Sequence, residues 1–514
     1  MGIINKVGRE IPEELNGKKL TPFQGAFDYM PEGRIIGRKI PAPKRPREEK
    51  LLKSIKEAIE KCGIRDGAHI SFHHHLRNGD YVVNKVMEEI ANMGIKDVVL
   101  YPTALFPVHE PLIEMIEKGV IRRIEGSMNG PIGNACSHGK IPEICILRSH
   151  GGRVRAVKAG DIHIDCAFIS ASAADKYGNA TGKFGKSRFG PISYSLVDSQ
   201  YADKVVVVTD NLVPYPCHPF TIESTNVDYI VEIDSIGDSE KIVSGTTRIT
   251  RSPTRLKIAE YAVSFLNEAG FIKDGFSFQT GAGGISLAAT KFLGDIMRKK
   301  GIKASFVFGG VTKLIVNLLK DGFINVLFDG QLFDDAACDS LLNDPNHIEI
   351  SLELAYDIHS KGCIANMVDV VFLGATEVDL DFNVNVNTHS DGLLLHGIGG
   401  HQDAAAASSI TIITVPAFRN RIPILKERVT TVSTPGETVD VVITEMGIAI
   451  NPRRSDLIER MKKSKLPIMD IRDLYKRIMK ITGKPAEPLF KDNIVALIEF
   501  RDGTVIDTVR EVED

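Results

Sequence analysis

Apolar residues fall in two rhythms along this chain. Short β-branched runs, such as DVVLYP from Asp97, KVVVVTD from Lys204 and VVFLGA from Val370, read as strands covered on both faces. HISFHH from His69 is a further candidate strand. Between them lie segments with apolar spacing of three and four; NKVMEEIANMG from Asn84 is such a helix, closed by glycine. Strand and helix alternate, which predicts an α/β fold with mostly parallel sheets.

The pattern also repeats. DGAHISFHHHLRNGDYVVNKVMEEIANMGIK from Asp66 and DGFSFQTGAGGISLAATKFLGDIMRKKGIK from Asp274 both run from Asp-Gly through a strand, a polar or glycine turn and a helix into Gly-Ile-Lys. IDCAFISASAADKYGNA from Ile164 pairs with VDVVFLGATEVDLDFNV from Val368, with matched Asp and Asn positions. A weaker third pair is KVVVVTDN at Lys204 with DVVITEMG at Asp440. Three matches in one order predict two related domains, 51–250 and 251–514, with a site at their junction. Residues 1–50 read apart from both. KIPAPKRPREEK, rich in proline and charge, predicts an extended N-terminal arm.

Composition narrows the classes. A chain of 514 residues exceeds one core, and 43% apolar with 25% charged residues is ordinary globular usage. A net charge of −3 gives no overall basic excess for nucleic acid. No apolar run reaches the roughly 18 residues of a membrane span, and MGIINKVGREIPEEL lacks a secretory core. Seven scattered cysteines without a CxxC pair predict free thiols and a cytoplasmic location.

Familiar motifs fail on inspection. GIGGHQ at Gly397 and GAGGIS at Gly281 begin as dinucleotide fingerprints, but Gln402 and Ser286 stand at the sixth position. ATGKFGKS ends like a phosphate loop, yet Ala180 replaces its first glycine. HExxH and GxSxG are absent. What survives are glycine turns. TGAGG (280–284) and GIGG (397–400), read as turns after strands, would point backbone N–H groups into a cleft, as an anion nest or as tight structural turns.

GIGGHQDAAAASS, followed by TVSTPGETVDVVITEMGIAINP, resembles the C-terminal half of the coenzyme A-transferase superfamily, and SAADKYGNATG resembles its N-terminal half. SFHHHLRNGD and the basic arm are similar to one branch of it, which exchanges acetyl for citryl on the thiol of an acyl carrier protein. The resemblance implies two transferase-type domains and citrate as substrate. It implies no cofactor bound covalently to this chain; the reactive thiol is that of a phosphoribosyl-dephospho-CoA group on an acyl carrier subunit, with acetyl-CoA as surrogate. It also implies a separate citryl-thioester lyase subunit and a homo-oligomer within a larger complex, with no metal, nucleic acid or membrane partner.

Many members of the superfamily use a glutamate as covalent nucleophile. The corresponding stretch here is FDGQLFDDAA, with Gln331 at that place, or Asp329 or Asp334 if the alignment slips. An amide is no carboxyl nucleophile, so the acid substrate itself is expected to attack. By resemblance Gly399 and Gly400 hold the oxyanion, while Gly281, Gly283, Gly284 and Gly397 cradle the thioester. Gly178 and Asn179 match a turn near the coenzyme, or form only a turn. Lys183, Lys186 and Arg188 meet phosphates or form a solvated basic loop. Glu377 and Glu445 bond substrate or pair with nearby cations. The alternatives are a general transferase with a covalent carboxylate, or a non-catalytic binder of nucleotides or sugar phosphates.

The three histidines of SFHHHLRNGD admit three readings: a metal site, satisfied core imidazoles or an anion clamp. Strand alternation lets His73 and His75 converge while His74 points away, unless the strand ends there. No spaced ligand set accompanies them, which disfavours zinc. The expectation is a tricarboxylate clamp of His73, His74, His75, Arg77 and Asn78, with the imidazoles protonated by their anionic guest.

Overall fold

The computed structural model describes residues 2–15, 17–28, 49–243, 248–281 and 283–513. The β-branched runs are strands as expected: Val98–Pro102, Lys204–Thr209 and Val370–Leu373 are central, fully or nearly fully buried, and parallel to their neighbours. Among the described residues they belong to two large sheets of seven and eight strands.

The two sheets share one strand order. Across the first run Ile121–Ile124, Val98–Pro102, His69–Phe72, Cys166–Ala171, Lys204–Thr209 and Tyr229–Glu232. Across the second, Leu327–Leu332, Phe306–Val311, Ser277–Thr280, Val370–Leu373, Ile410–Thr414 and Val441–Thr444 follow the same path. Repeated carboxylates pin repeated turns. Asp66 accepts from the Lys96 amide at 2.8 Å and Asp274 from the Lys303 amide at 2.9 Å. Asp165 caps the His69 amide and Asp369 the Ser277 amide, each at 2.8 Å. The fold is α/β with two related halves.

The third sequence match was out of register. Tyr229–Glu232, not Lys204–Thr209, is the counterpart of Val441–Thr444. The marker is the aspartate just before the strand: Asp228 accepts from the Val205 amide at 2.9 Å, and Asp440 from the Thr411 amide at 2.7 Å. Runs of Val and Ile look alike in any register, so only the capping carboxylate could have fixed the pairing.

The ends of the chain join the two halves. Phe490–Glu499 and Val505–Val512 form an antiparallel hairpin that adds to Cys145–Leu147, so the last strands pack on the first half. Residues 2–15 and 17–28 are not the extended arm expected. They form short hairpins against that C-terminal pair, with Phe23 edge-on to Phe500 at 4.9 Å and Asn5 Nδ2 donating to the Val505 and Ile506 carbonyls. An apolar anchor and paired backbone groups give this segment a place to fold. Of KIPAPKRPREEK, only the last two residues are described. Among the described residues, no helix is long and apolar enough to cross a membrane.

Candidate active site at the junction of the halves

Parallel sheets present their functional groups beyond the C-terminal ends of their strands. The strand His69–Phe72 stops at Phe72, and the three histidines follow as an irregular turn rather than continuing it. The strand's end frees His74 from the alternation. His73 and His75 do meet, Nδ1 to Nδ1 at 3.0 Å, and their Nε2 atoms bond the Ser170 carbonyl at 2.9 Å and Ser193 Oγ at 3.3 Å. Both rings are spent on the protein. His74 looks across the junction, with Thr103 Oγ1 2.5 Å from Nδ1 and the Gln331 side chain close to the ring.

All three imidazoles are buried, and burial pushes each below its ordinary range, His74 and His75 far below. Neighbouring imidazoles and Arg77 lower those two further. Without a bound anion they are neutral, so the protonated clamp is not the resting state.

Arg77 sits at φ +51°, a left-handed conformation that costs a non-glycine residue about 1–3 kcal/mol. That turn sends its guanidinium into the second half, where it lies 4.2 Å over the Phe333 ring and donates to the Leu332 carbonyl. Its Nε is buried with no partner among the described residues, and burial lowers it to about 10. Asn78 departs from the cluster. It is exposed, and its Oδ1 accepts from the Val108 amide at 3.0 Å.

Gln331 reaches His74 because its strand is irregular. Between Phe306–Val311 and Leu327–Leu332 the register slips after Gly309, so Gly330 has no partner and the next side chain is re-aimed. The two aspartates nearby each have a structural partner, though Asp329 Oδ1 is buried without one among the described residues. Asp329 is wholly buried with His347 Nε2 at 3.0 Å, and Asp334 caps the helix Asp335–Asn343 through the Ala337 amide.

The loop Gly397–Gly400 reaches the same place from the second half, leading into the helix His401–Ala407. It follows an irregular segment instead of a strand. Gly397 N donates to Ser127 Oγ at 2.7 Å, which ties the loop to the first half. The Gly399 carbonyl accepts from the His150 amide at 2.9 Å. A side chain on Gly400 would come within 2.7 Å of Tyr356 Oη, so only glycine permits this approach.

His150 opens the helix His150–Ala159, whose N-cap Ser149 accepts from the Gly152 amide. Its Nδ1 is bonded to the Tyr194 hydroxyl, and its ring stacks with His74 at 6.2 Å between centroids. Tyr356 receives Gln279 Nε2 at 2.9 Å and closes the cluster. Asp403 binds Ser149 Oγ at 2.8 Å and the Gly151 amide at 2.9 Å from across the junction, and burial raises it to about 6. His150, Tyr194, Tyr356 and Gln279 had no periodicity or motif to announce them. The one available signal was Ser-His-Gly-Gly opening a helix, where a Cβ on Gly151 would meet Asp403 Oδ1 at 2.8 Å.

The remaining candidates lie elsewhere or are engaged. Gly281 and Gly283 are exposed and Gly284 opens the 17-residue helix Gly284–Lys300, so the TGAGG turn does follow a strand at a helix N-terminus. Gly178 has φ +105°, and Asn179 bonds Asp175 Oδ2 and the Ser224 amide, which is the chemistry of a turn. Asp379, Asn383 and the Gly436 amide repeat that arrangement in the second half. Glu377 is buried against Lys426 Nζ at 2.6 Å and Thr430, and Glu445 accepts from the Ala417 amide. Lys183 pairs with Glu349, Lys186 lies near Asp210, and Arg188 pairs with Asp335 and Asp339. His163, Asp165 and Asp203 lie within metal-ligand reach of one another, but at the N-terminal edge of the first sheet, opposite the junction.

The site thus places four neutral imidazoles, two phenols, two amide side chains and a glycine loop at one junction, with structural partners on the nearby carboxylates. Comparison with known proteins bears on its identity. Residues 48–512 match the family model described as citrate lyase, alpha subunit. The citrate lyase alpha chain of Haemophilus influenzae is 45% identical, covering 91% of this chain and 94% of its own length. That of Klebsiella pneumoniae is 43% identical over 96% of both. The structure described as the alfa subunit of citrate lyase from Streptococcus mutans, in complex with citrate, superposes with a TM-score of 0.96 at 46% identity, covering 99% of this chain and 100% of that one. On fold, length and sequence together, this chain belongs to the citrate lyase alpha subunit family.

Proposed function

We propose that this chain exchanges acetyl for citryl on the thiol of an acyl carrier protein, converting citrate and acetyl thioester into citryl thioester and acetate, with citrate's own carboxylate as nucleophile. A citrate carboxylate oxygen attacks the acetyl carbonyl and the thiolate leaves, giving a mixed acetyl–citryl anhydride. The thiolate then attacks the citryl carbonyl and acetate leaves. Each step passes through a tetrahedral oxyanion, which preorganised N–H donors stabilise. Holding both reactants in one cleft supplies the remainder.

The observation that carries this reading is Gln331. An amide stands at the junction, beside His74, where the resemblance expects a nucleophilic carboxylate, while Asp329 is bonded through one oxygen to His347 and Asp334 caps a helix. The loop Gly399–Gly400 supports the oxyanion role, and His74 and Arg77 support the substrate's carboxylates. The thiol is assigned to the phosphoribosyl-dephospho-CoA group of an acyl carrier subunit, and citryl-thioester cleavage to a separate lyase subunit. Acetyl-CoA and citrate mixed with this chain are expected to yield citryl-CoA and acetate. Binding of both without turnover would leave only a regulatory role.

A further inference from the structure

We propose that His150 shares the oxyanion with the Gly399–Gly400 loop, as a neutral imidazole locked by Tyr194 in the tautomer that carries its proton on Nε2. The inference rests on the acyl-transfer reading above and adds a side chain that touches the reacting atoms.

Three observations converge on it. First, position: His150 is held through its backbone, its N–H on the Gly399 carbonyl at 2.9 Å, and Nε2 lies 3.8 Å from where a Cβ on Gly399 would stand. Among the described residues no hydrogen-bond partner takes Nε2, nor is it a sealed, buried atom, so this edge is open beside the glycine loop. Second, tautomer: the other nitrogen, Nδ1, meets the Tyr194 hydroxyl. Tyr194 is 2% exposed, and burial holds its phenol protonated. Its proton has no other acceptor among the described residues, so the phenol donates, Nδ1 accepts and Nε2 bears the hydrogen.

Third, charge. His74, Tyr194 and Tyr356 surround the ring, and burial pushes the imidazole down to about 3. Asp403 spends itself on Ser149 Oγ and the Gly151 amide, positioning the helix without bonding the ring. A neutral N–H donor aimed where negative charge develops strengthens its hydrogen bond in the transition state and transfers no proton. The glycine loop fixes where that donor sits, since Gly400 can pack on Tyr356 only without a side chain.

The test pairs kinetics with spectroscopy on the full chain, using acetyl-CoA and citrate. His150→Ala is expected to lower kcat about 100-fold, as loss of one oxyanion donor does, with the citrate Kd within about twofold. His150→Gln, which keeps an N–H donor, is expected to recover about tenfold of that. In wild-type protein labelled with ¹⁵N-histidine, the His150 ring should show a protonated Nε2 and bare Nδ1, unchanged from about pH 8 to about pH 5.5. Tyr194→Phe should abolish that tautomer preference. An imidazolium, an Nδ1–H tautomer, or a His150→Ala variant that weakens citrate binding with kcat intact would overturn the proposal. Absence of citryl-CoA from the wild type would instead sink the acyl-transfer reading, and the ring spectrum would still decide the tautomer.

Discussion

His401 is bonded on both ring nitrogens, Nδ1 to Thr434 Oγ1 at 2.7 Å and Nε2 to the Gly374 carbonyl at 2.9 Å, and burial lowers it to about 4. His74, His75 and His150 are depressed for the same reason. A histidine whose folded pKa lies below its unfolded value contributes stability above about pH 6.5, which is lost as pH falls through the folded value. His401 alone therefore removes about 2 kcal/mol between about pH 7.5 and about pH 5. Asp403, raised by burial, moves oppositely over part of that range. Urea midpoints across this window should fall with acid, and less steeply in His401→Gln. At Gln331, substitution by Glu would set a carboxylate against His74 and citrate; citrate affinity by calorimetry should drop at least about tenfold, since a nearby opposite charge protonates the imidazole while the new carboxylate repels the anion.

Elements were legible in unequal degree. The strands with continuous β-branched runs and the helix closed at Gly94 could be read because burial on both faces, and apolar spacing on one, leave a periodic trace. The end of the strand at Phe72 could not, since nothing in HISFHH marks where pairing stops. That single boundary decided which imidazole meets Gln331. Residues 2–15 and 17–28 were unreadable for another reason: their partner, the C-terminal hairpin, lies far along the chain, 500 residues away between Asn5 and Val505. Glu377 takes the second of its two readings, the partner of a nearby cation. It satisfies Lys426 and the Thr430 amide beside the strand Glu377–Asp379. Glu377→Ala, which strands a buried cation, should cost about 3–5 kcal/mol in denaturant unfolding. Glu377→Gln should leave the KM values of both substrates unchanged, whereas a substrate ligand would raise one of them.

On the scale of the whole molecule, the duplication explains why the site lies at a junction. Each half offers the C-terminal edge of a parallel sheet, and the first supplies imidazoles while the second supplies Gln331 and the glycine loop. Ion pairs cross between them with different worth. Arg188 with Asp335 and Asp339 is well exposed, and Arg188→Ala should cost under about 1 kcal/mol, measured by thermal unfolding at low and high salt. Lys183 with Glu349 is largely buried, and Lys183→Ala should cost several times more. The sequence repeats made the two halves visible. The junction residues Tyr194 and Tyr356 stayed hidden because they lie outside the repeats, and Gln279, inside one, because the other repeat carries a different residue at that place.

The central claim is that the incoming acid attacks directly, and one isotope experiment addresses it. Citrate labelled with ¹⁸O in its carboxylates is mixed with acetyl-CoA and excess enzyme for a single turnover, and both acetate and tryptic peptides are weighed by mass spectrometry. Direct attack predicts acetate carrying one ¹⁸O in that first turnover and no label on the protein. Unlabelled acetate, with ¹⁸O found on an aspartate or glutamate side chain, would show that the enzyme's own carboxylate came first, and would contradict the account.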